Sequence, residues 1–242
     1  MEKIYKSNSG TVYVNVKNFF WEEVQAFKVI KETSHVIMAP GKTSRDFEDL
    51  DDGTLICQST VDENVGYRID LGYNNMFTDI QSSARTINDL QSLQPSIKLT
   101  EFPYGVITRE NRVVGEVMPF YPNSVDILDY IGATSDKNIL SVYKQVLMIL
   151  KEMHENGILY CDIHGGNFVV NDKSGNPVVR AIDFEGIFLS FSRERQYGDY
   201  AINSHLNNLR RLLNNIKKVI KSQDVQDSLT SMTDDYEKSI KR

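Results

Sequence analysis

Cysteine is scarce. Cys57 and Cys161 are the only two in 242 residues. That is too few for a disulfide framework, so a reducing compartment, the cytoplasm, is the expected location. Long hydrophobic runs are absent as well. No apolar stretch approaches the roughly 20 residues that a membrane helix needs. The opening MEKIYKSNSGTVYVNV lacks the apolar region of a secretory leader, and no membrane partner is expected. There is no excess of positive charge. Lys and Arg number 27 against 33 Asp and Glu, a net charge of −6, which argues against a broad nucleic-acid surface. Internal repeats and low-complexity segments are missing too. What is present suffices for a core: 40% of the residues are hydrophobic, enough for one large domain or two small lobes.

The texture changes near residue 120, from short alternating runs and turns to helical periodicity. The first 20 residues read as a hairpin in which Ile4-Tyr5-Lys6 and the run 11–16 flank Asn8-Ser9-Gly10. Residues 21–31 hold Trp21, Val24, Phe27, Val29 and Ile30 at mostly helical spacing, which predicts a helix. Strands are expected over 35–38, 54–58 and 66–71, then a helix over 78–93 with Ile80, Ala84, Ile87, Leu90 and Leu93 mostly on one face. Strands over 104–108 and 113–118 make a second hairpin. A short helix over 125–130 precedes a long one over 137–156. The long one carries Leu140, Tyr143, Val146, Leu147, Leu150 and Met153 as an i, i+3, i+4 stripe and stops at Gly157. Residues 168–171 and 178–182 form a third hairpin, and 200–220 a second long helix. The polar remainder carries one weak helical signal and is expected to fray.

The chemistry concentrates between Met153 and Glu185. Asp162 follows the long helix, Asn167 stands five residues later, and Asp183-Phe184 leaves the hairpin. Taken singly, Asp162 and Asn167 equally fit residues that brace a tight turn, and Asp183 fits a strand end. As an ordered set they resemble the catalytic core of the protein-kinase-like superfamily, which carries His-Arg-Asp-x-x-x-x-Asn, a hairpin and Asp-Phe-Gly. The counterparts are Tyr160-Cys161-Asp162-Ile163-His164-Gly165-Gly166-Asn167 and Asp183-Phe184-Glu185. The resemblance spans Pro103 to Leu213. It implies ATP and Mg²⁺ as cofactors. In it, Asn167 and Asp183 offer the metal hard oxygen ligands, and Asp162 accepts the proton of an attacking hydroxyl. Adenine would meet the backbone near Glu116, Met118 and Phe120, ahead of a linker at Tyr121-Pro122-Asn123-Ser124.

Several positions depart from that family pattern. Tyr160 and Cys161 replace its His and Arg, which removes the usual partner of an activation-loop phosphate; Cys161 itself reads as a buried thiol or a redox switch. Glu185 replaces the Gly of Asp-Phe-Gly, in a place where glycine's backbone freedom matters. His164 stands where Ser/Thr kinases place Lys. Aminoglycoside and choline kinases often have His there, so His164 is a candidate catalytic residue, with loop bracing as its other reading. Asp199 resembles the Asp that opens the next long helix and holds the catalytic loop, and also fits a helix N-cap. No Ala-Pro-Glu follows, and no Gly-x-Gly-x-x-Gly or Val-Ala-Ile-Lys precedes. Arg68 is the nearest stand-in for the phosphate-binding lysine, although its planar fork does not replace Lys without loss; Lys6, Lys17 and Lys28 are rivals. Gly41-Lys42-Thr43-Ser44 ends like a Walker motif, but Val36 occupies the position of its first glycine, so a P-loop NTPase is set aside.

The expected fold is therefore α+β and two-lobed: an antiparallel nucleotide-binding lobe over 1–120 and a mostly helical catalytic lobe over 121–242, with ATP between them. The expected function is an ATP- and Mg²⁺-dependent kinase whose acceptor is a protein Ser/Thr or a small molecule. The rival readings are a pseudokinase binding module and a scaffold that uses the basic strip Arg210-Arg211 and Lys217-Lys218.

Overall fold

Short runs of alternating apolar and polar residues pair into a sheet because each buries one face. The computed structural model describes residues 5–6, 12–13, 17–20, 27–34, 53–59, 63–70, 80–109, 112–172, 175–184, 187–189 and 199–240. Contacts divide the chain into two units: Met1–Gln94 with Phe102–Phe120, and Pro95–Glu101 with Tyr121–Arg242.

In the first unit, β1 (Tyr5–Lys6) and β2 (Val12–Tyr13) pair antiparallel, with Tyr5 opposite Tyr13, as the hairpin reading expects. Six further strands follow: β3 (Lys17–Phe20), β4 (Phe27–Ser34), β5 (Gly53–Ser59), β6 (Val65–Asp70), β7 (Gly105–Arg109) and β8 (Arg112–Pro119). Their order is β3-β7-β8-β6-β5-β4. All neighbours are antiparallel except β3 and β7, which run parallel. The helix expected over 21–31 is not formed over 27–31, which lies in β4. Short apolar runs are ambiguous between helix and strand. Here pairing with β5 decides, and a register shift between Val29 and Lys31 absorbs the helix-like spacing. Residues 21–26 and the strand expected over 35–38 lie outside the described residues. Helix α1 (Ile80–Leu93) packs on β7 and β8. The Gln91 amide donates to the Phe102 and Pro103 carbonyls at 3.2 and 2.5 Å.

The second unit is mostly helical. Asp126 closes the two-residue strand β9 (Val125–Asp126), and its Oδ1 accepts from the Leu128 N–H at 2.7 Å. This cap starts α2 (Ile127–Ala133) two residues later than the expected helix. The apolar stripe of α3 (Asp136–Glu155) is buried from Tyr143 to Met153 and half-buried at Leu140, and the helix stops where Gly157 takes φ 81°. The carboxylate of Glu152 on α3 accepts from the backbone N–H groups of Lys98 and Leu99 at 2.9 and 2.8 Å, tying 95–101 to this unit. Next come β10 (Ile158–Tyr160), β11 (Phe168–Asn171), β12 (Val178–Ala181) and β13 (Ile187–Leu189). β11 pairs with β12 and β9, and β10 pairs with β13. Helix α4 (Asp199–Val219) matches its expected range within a residue.

The C-terminal region does not fray: it is α5 (Gln223–Ile240). Val225, Leu229, Thr233, Tyr236, Glu237 and Ile240 are buried at helical spacing, and α5 packs on α3 and α4. Its two most polar buried residues have partners. The Tyr143 hydroxyl lies 2.7 Å from Thr233 Oγ1. Arg210 holds Glu237 through two bonds of 2.6 Å. That pair gives Arg210, one of the four residues of the basic strip, an acidic partner on α5. No helix among the described residues is long and apolar enough to cross a membrane.

Leu229 has no exposed surface. Leu229→Ala is expected to cost about 2–5 kcal/mol, read as a lower urea midpoint at an unchanged m value. A frayed C-terminus would leave the midpoint where it was.

Candidate active site

The strand β10 delivers Tyr160 into the interior, and the chain then turns through a single 3-10 turn, Gly165–Asn167, into β11. The turn is tight for steric reasons. A Cβ on Gly165 would lie 2.7 Å from both Cγ and Cδ1 of Leu128 on α2, and one on Gly166 would lie 3.2 Å from Cε1 of His164. Glycine at 165 thus lets α2 approach the loop.

Asn167 is buried and uses both amide hydrogens on Asp162: Nδ2 lies 2.9 Å from the Asp162 carbonyl and 3.0 Å from its Oδ2. Its own backbone carbonyl accepts from the Ile182 N–H at 2.9 Å, which continues the β11–β12 ladder by one bond. Asp183 therefore leaves the hairpin beside Asn167. His164 Nε2 lies 3.5 Å from Asp162 Oδ2, and both side chains are about half exposed (53% and 48%). Asp162, His164, Asn167 and the backbone at Asp183 are thus brought into one loop cluster.

Asp183 has φ 60°. That left-handed conformation costs most residues about a kilocalorie or more and is best tolerated by Gly, Asn and Asp. Neighbouring groups hold it. The Tyr160 hydroxyl lies 2.9 Å from the Ile182 carbonyl and 2.7 Å from the Asp183 carbonyl, one proton shared between two acceptors. The Tyr160 ring sits between Phe168, edge-on at 6.2 Å, and the buried Phe184 at 5.9 Å. Glu185 lies outside the described residues.

The loop is also held from behind, by residues that sequence reasoning missed. His205 Nδ1 lies 2.6 Å from the Tyr160 carbonyl, and Asn208 Nδ2 donates to the Cys161 carbonyl at 2.5 Å. Asp199, expected to hold this loop, is an exposed residue in the first turn of α4. A signal for His205 was present: it stands in phase with Ala201, Leu209, Leu212 and Ile216, a polar residue on an apolar stripe. Cys161 is buried, its thiol donates to the Ala201 carbonyl at 3.4 Å, and burial pushes its pKa up to about 11. At neutral pH it stays a thiol, which argues against a redox switch.

The remaining candidates belong to the sheet of the first unit. Arg68 on β6 stands opposite Glu116 on β8, so the two charges face each other across strands. Met118 pairs with Gly66, and the Phe120 N–H donates to the Asn64 carbonyl at 2.7 Å. β8 is flanked on both sides, by β6 and β7.

No protein-family model matches this sequence, and no curated protein does. By structure the chain is similar to the kinase PK-1 of Cydia pomonella granulovirus. The TM-score is 0.50 at 9% identity, covering 86% of this chain and 76% of that one. The chain has a protein-kinase-like fold. At the centre of the loop cluster, the Tyr160 hydroxyl is what reaches the Asp183 backbone.

The donor set fits a hard divalent cation. With both its N–H donors on Asp162, Asn167 has only Oδ1 left to offer, and Asp183 adds a carboxylate. Among the described residues no group of three or more His, Cys, Asp or Glu could hold a metal by itself. Mg²⁺ in nucleotide sites takes one or two protein oxygens and completes its shell with phosphates and water.

Two outcomes are expected. Gly165→Ala pushes a methyl into Leu128 and should destabilise the protein by about 1–3 kcal/mol, measured by denaturant titration. His205 gives a pH dependence. Burial is the main cause that pushes its pKa down, from 6.5 to about 4; His154 on α3 adds to this, while the bond to Tyr160 opposes it. Tyr236 on α5 and Cys161 also face it. The unfolded chain binds the proton more readily, so stability falls as pH drops from 6.5 through 4. The loss attributable to His205 should approach roughly 3 kcal/mol. A matched titration of His205→Asn, which lacks that group, isolates it.

Proposed function

We propose that the chain is an ATP- and Mg²⁺-dependent kinase whose chemistry is carried by the loop cluster of the second unit. The observation that carries this reading is the double grip of Asn167 on Asp162, together with the Asn167–Ile182 backbone bond. One residue orients the base and stands next to Asp183, the metal-binding carboxylate. The fold shared with a granulovirus kinase supports the same reading.

Asp162 is the base. Its carboxylate takes the proton of the acceptor hydroxyl as that oxygen attacks the γ-phosphorus of ATP and the bond to the β–γ bridging oxygen breaks, releasing ADP. Asn167 and Asp183 hold Mg²⁺, which when bound offsets the charge of the phosphate oxygens. His164 places Nε2 beside Asp162, 3.5 Å from Oδ2. The Asn167–Asp162 bonds preorganise the base, so its orientation is not recovered at each turnover. The acceptor is a protein Ser or Thr. A small alcohol is the second reading, favoured by His164 at the position where Ser/Thr kinases use Lys.

The test is labelled-phosphate transfer from ATP by the purified protein with Mg²⁺, to itself, to a generic protein and to a panel of small alcohols. Asp162→Asn and Asp183→Asn are the variants of choice. Asn keeps the polar contacts at 162 and tolerates the left-handed backbone at 183. Each should lower transfer by about 10²-fold or more, and chelation of Mg²⁺ should abolish it. Unchanged transfer in both variants, or no turnover by the unaltered protein, refutes the reading. The acceptor panel separates protein from small-molecule substrates.

A further inference from the structure

A buried polar chain runs from the last helix to the candidate active site, and the kinase reading does not use it. Tyr236 on α5 lies 2.9 Å from Nε2 of His205 on α4. Nδ1 of the same ring lies 2.6 Å from the Tyr160 carbonyl. The Tyr160 hydroxyl reaches the Ile182 and Asp183 carbonyls. His205 and Tyr236 are both buried, so water is not a ready substitute for either partner.

Hydrogen positions along this chain follow from chemistry. A carbonyl only accepts, so Nδ1 must carry the hydrogen. A neutral ring then has a bare Nε2, and the Tyr236 hydroxyl must donate to it. The Tyr160 carbonyl therefore selects the tautomer, and the Tyr236 hydroxyl satisfies the bare Nε2 and holds the ring from its far side. Without that hydroxyl, Nε2 is a buried acceptor with no partner. The ring is then held at one nitrogen only, and the grip on β10 loosens. Asn208 continues the same support one residue on, at the Cys161 carbonyl. Asp162 is the next residue.

We propose that Tyr236 and His205 are positioning residues for phosphoryl transfer: helix α5, through the hydrogen bond by which Tyr236 holds the His205 ring, fixes Tyr160 and with it the backbone of Asp162 and Asp183. The inference rests on the kinase reading for its activity readout and on geometry alone for its structural one. Neither residue touches a reacting group. Their removal should lower kcat and leave the KM for ATP nearly unchanged.

The experiment compares the full chain with Tyr236→Phe, which deletes one oxygen and keeps the ring. His205→Leu and His205→Asn serve as a second pair, because the Asn amide can donate where Nδ1 does. Leu229→Ala, destabilising but off this chain, is the control. In ¹⁵N spectra the unaltered protein and Tyr236→Phe should both show His205 with its hydrogen on Nδ1, and the Nε2 resonance of the variant should move as its hydrogen bond is lost. The Ile182 amide, bonded to the Asn167 carbonyl, should exchange with solvent about tenfold faster in Tyr236→Phe and in His205→Leu. It should exchange near the normal rate in His205→Asn. Transfer kcat should fall about tenfold in the same two variants and largely recover in His205→Asn.

An equal fall of kcat in Leu229→Ala, assayed where that variant is still folded, would overturn the proposal by making the effect one of general stability. So would an unchanged kcat in Tyr236→Phe, or an Nε2–H tautomer in the unaltered protein. If the unaltered protein transfers no phosphate, the kinase reading fails. The tautomer and exchange data then decide the coupling of α5 to the loop by themselves.

Discussion

Tyr160 is fixed at both ends. Its carbonyl accepts from a buried imidazole, and its hydroxyl holds the two carbonyls around Asp183. The ring between them is packed by Phe168 and Phe184. Remove either anchor and the other has nothing firm to act on. The left-handed backbone at Asp183 persists only because its surroundings over-determine it. The Asn167–Asp162 bonds in turn depend on a β11 whose register is set by β12 and β9. The half-exposed groups of the loop, Asp162 and His164, are thus presented from a buried frame, the arrangement that gives a reactive side chain a defined position without hiding it.

Electrostatics in the second unit follows the same division. The groups with strongly displaced proton affinities, Tyr143, Cys161, His205 and Tyr236, are interior and structural. Burial holds both phenols in the neutral form and keeps the imidazole uncharged, so each acts as a hydrogen-bonding group of fixed polarity. Arg210 and Glu237 form the one charged pair that locks α4 to α5 among the described residues. The glutamate is 8% exposed and the arginine 54%, so the guanidinium stays largely solvated while it satisfies the buried carboxylate through both oxygens.

Much of this was legible in the sequence, and the exceptions have physical reasons. The 137–156 helix could be read because its stripe is apolar throughout and a glycine ends it. The 168–182 hairpin could be read because its two strands flank a polar turn. Asp162, Asn167 and Asp183 stood out through the resemblance of their ordered set to kinase motifs, and the structure brings Asp162, Asn167 and the backbone at Asp183 together. Residues 27–31 were misread because their apolar spacing fits a helix as well as a bulged strand, and only pairing with residues 53–59 decides. The last helix was misread because Thr233 and Glu237 stand at buried positions, which makes its apolar stripe look broken. Each is satisfied by a residue far away in sequence, Tyr143 and Arg210. His205 was overlooked for the same reason. A polar residue on an apolar stripe gains its meaning from partners that no local pattern contains.

The chain of contacts also sets an order of events during synthesis. His205 stands 45 residues after Tyr160, and Tyr236 another 31 beyond that. At roughly 5–20 residues per second on the ribosome, the loop around Asp162 exists for several seconds before the hydroxyl that fixes its support has been made. A nascent chain thus carries every residue of the loop cluster well before it can hold them in register, and the site is completed from its far end.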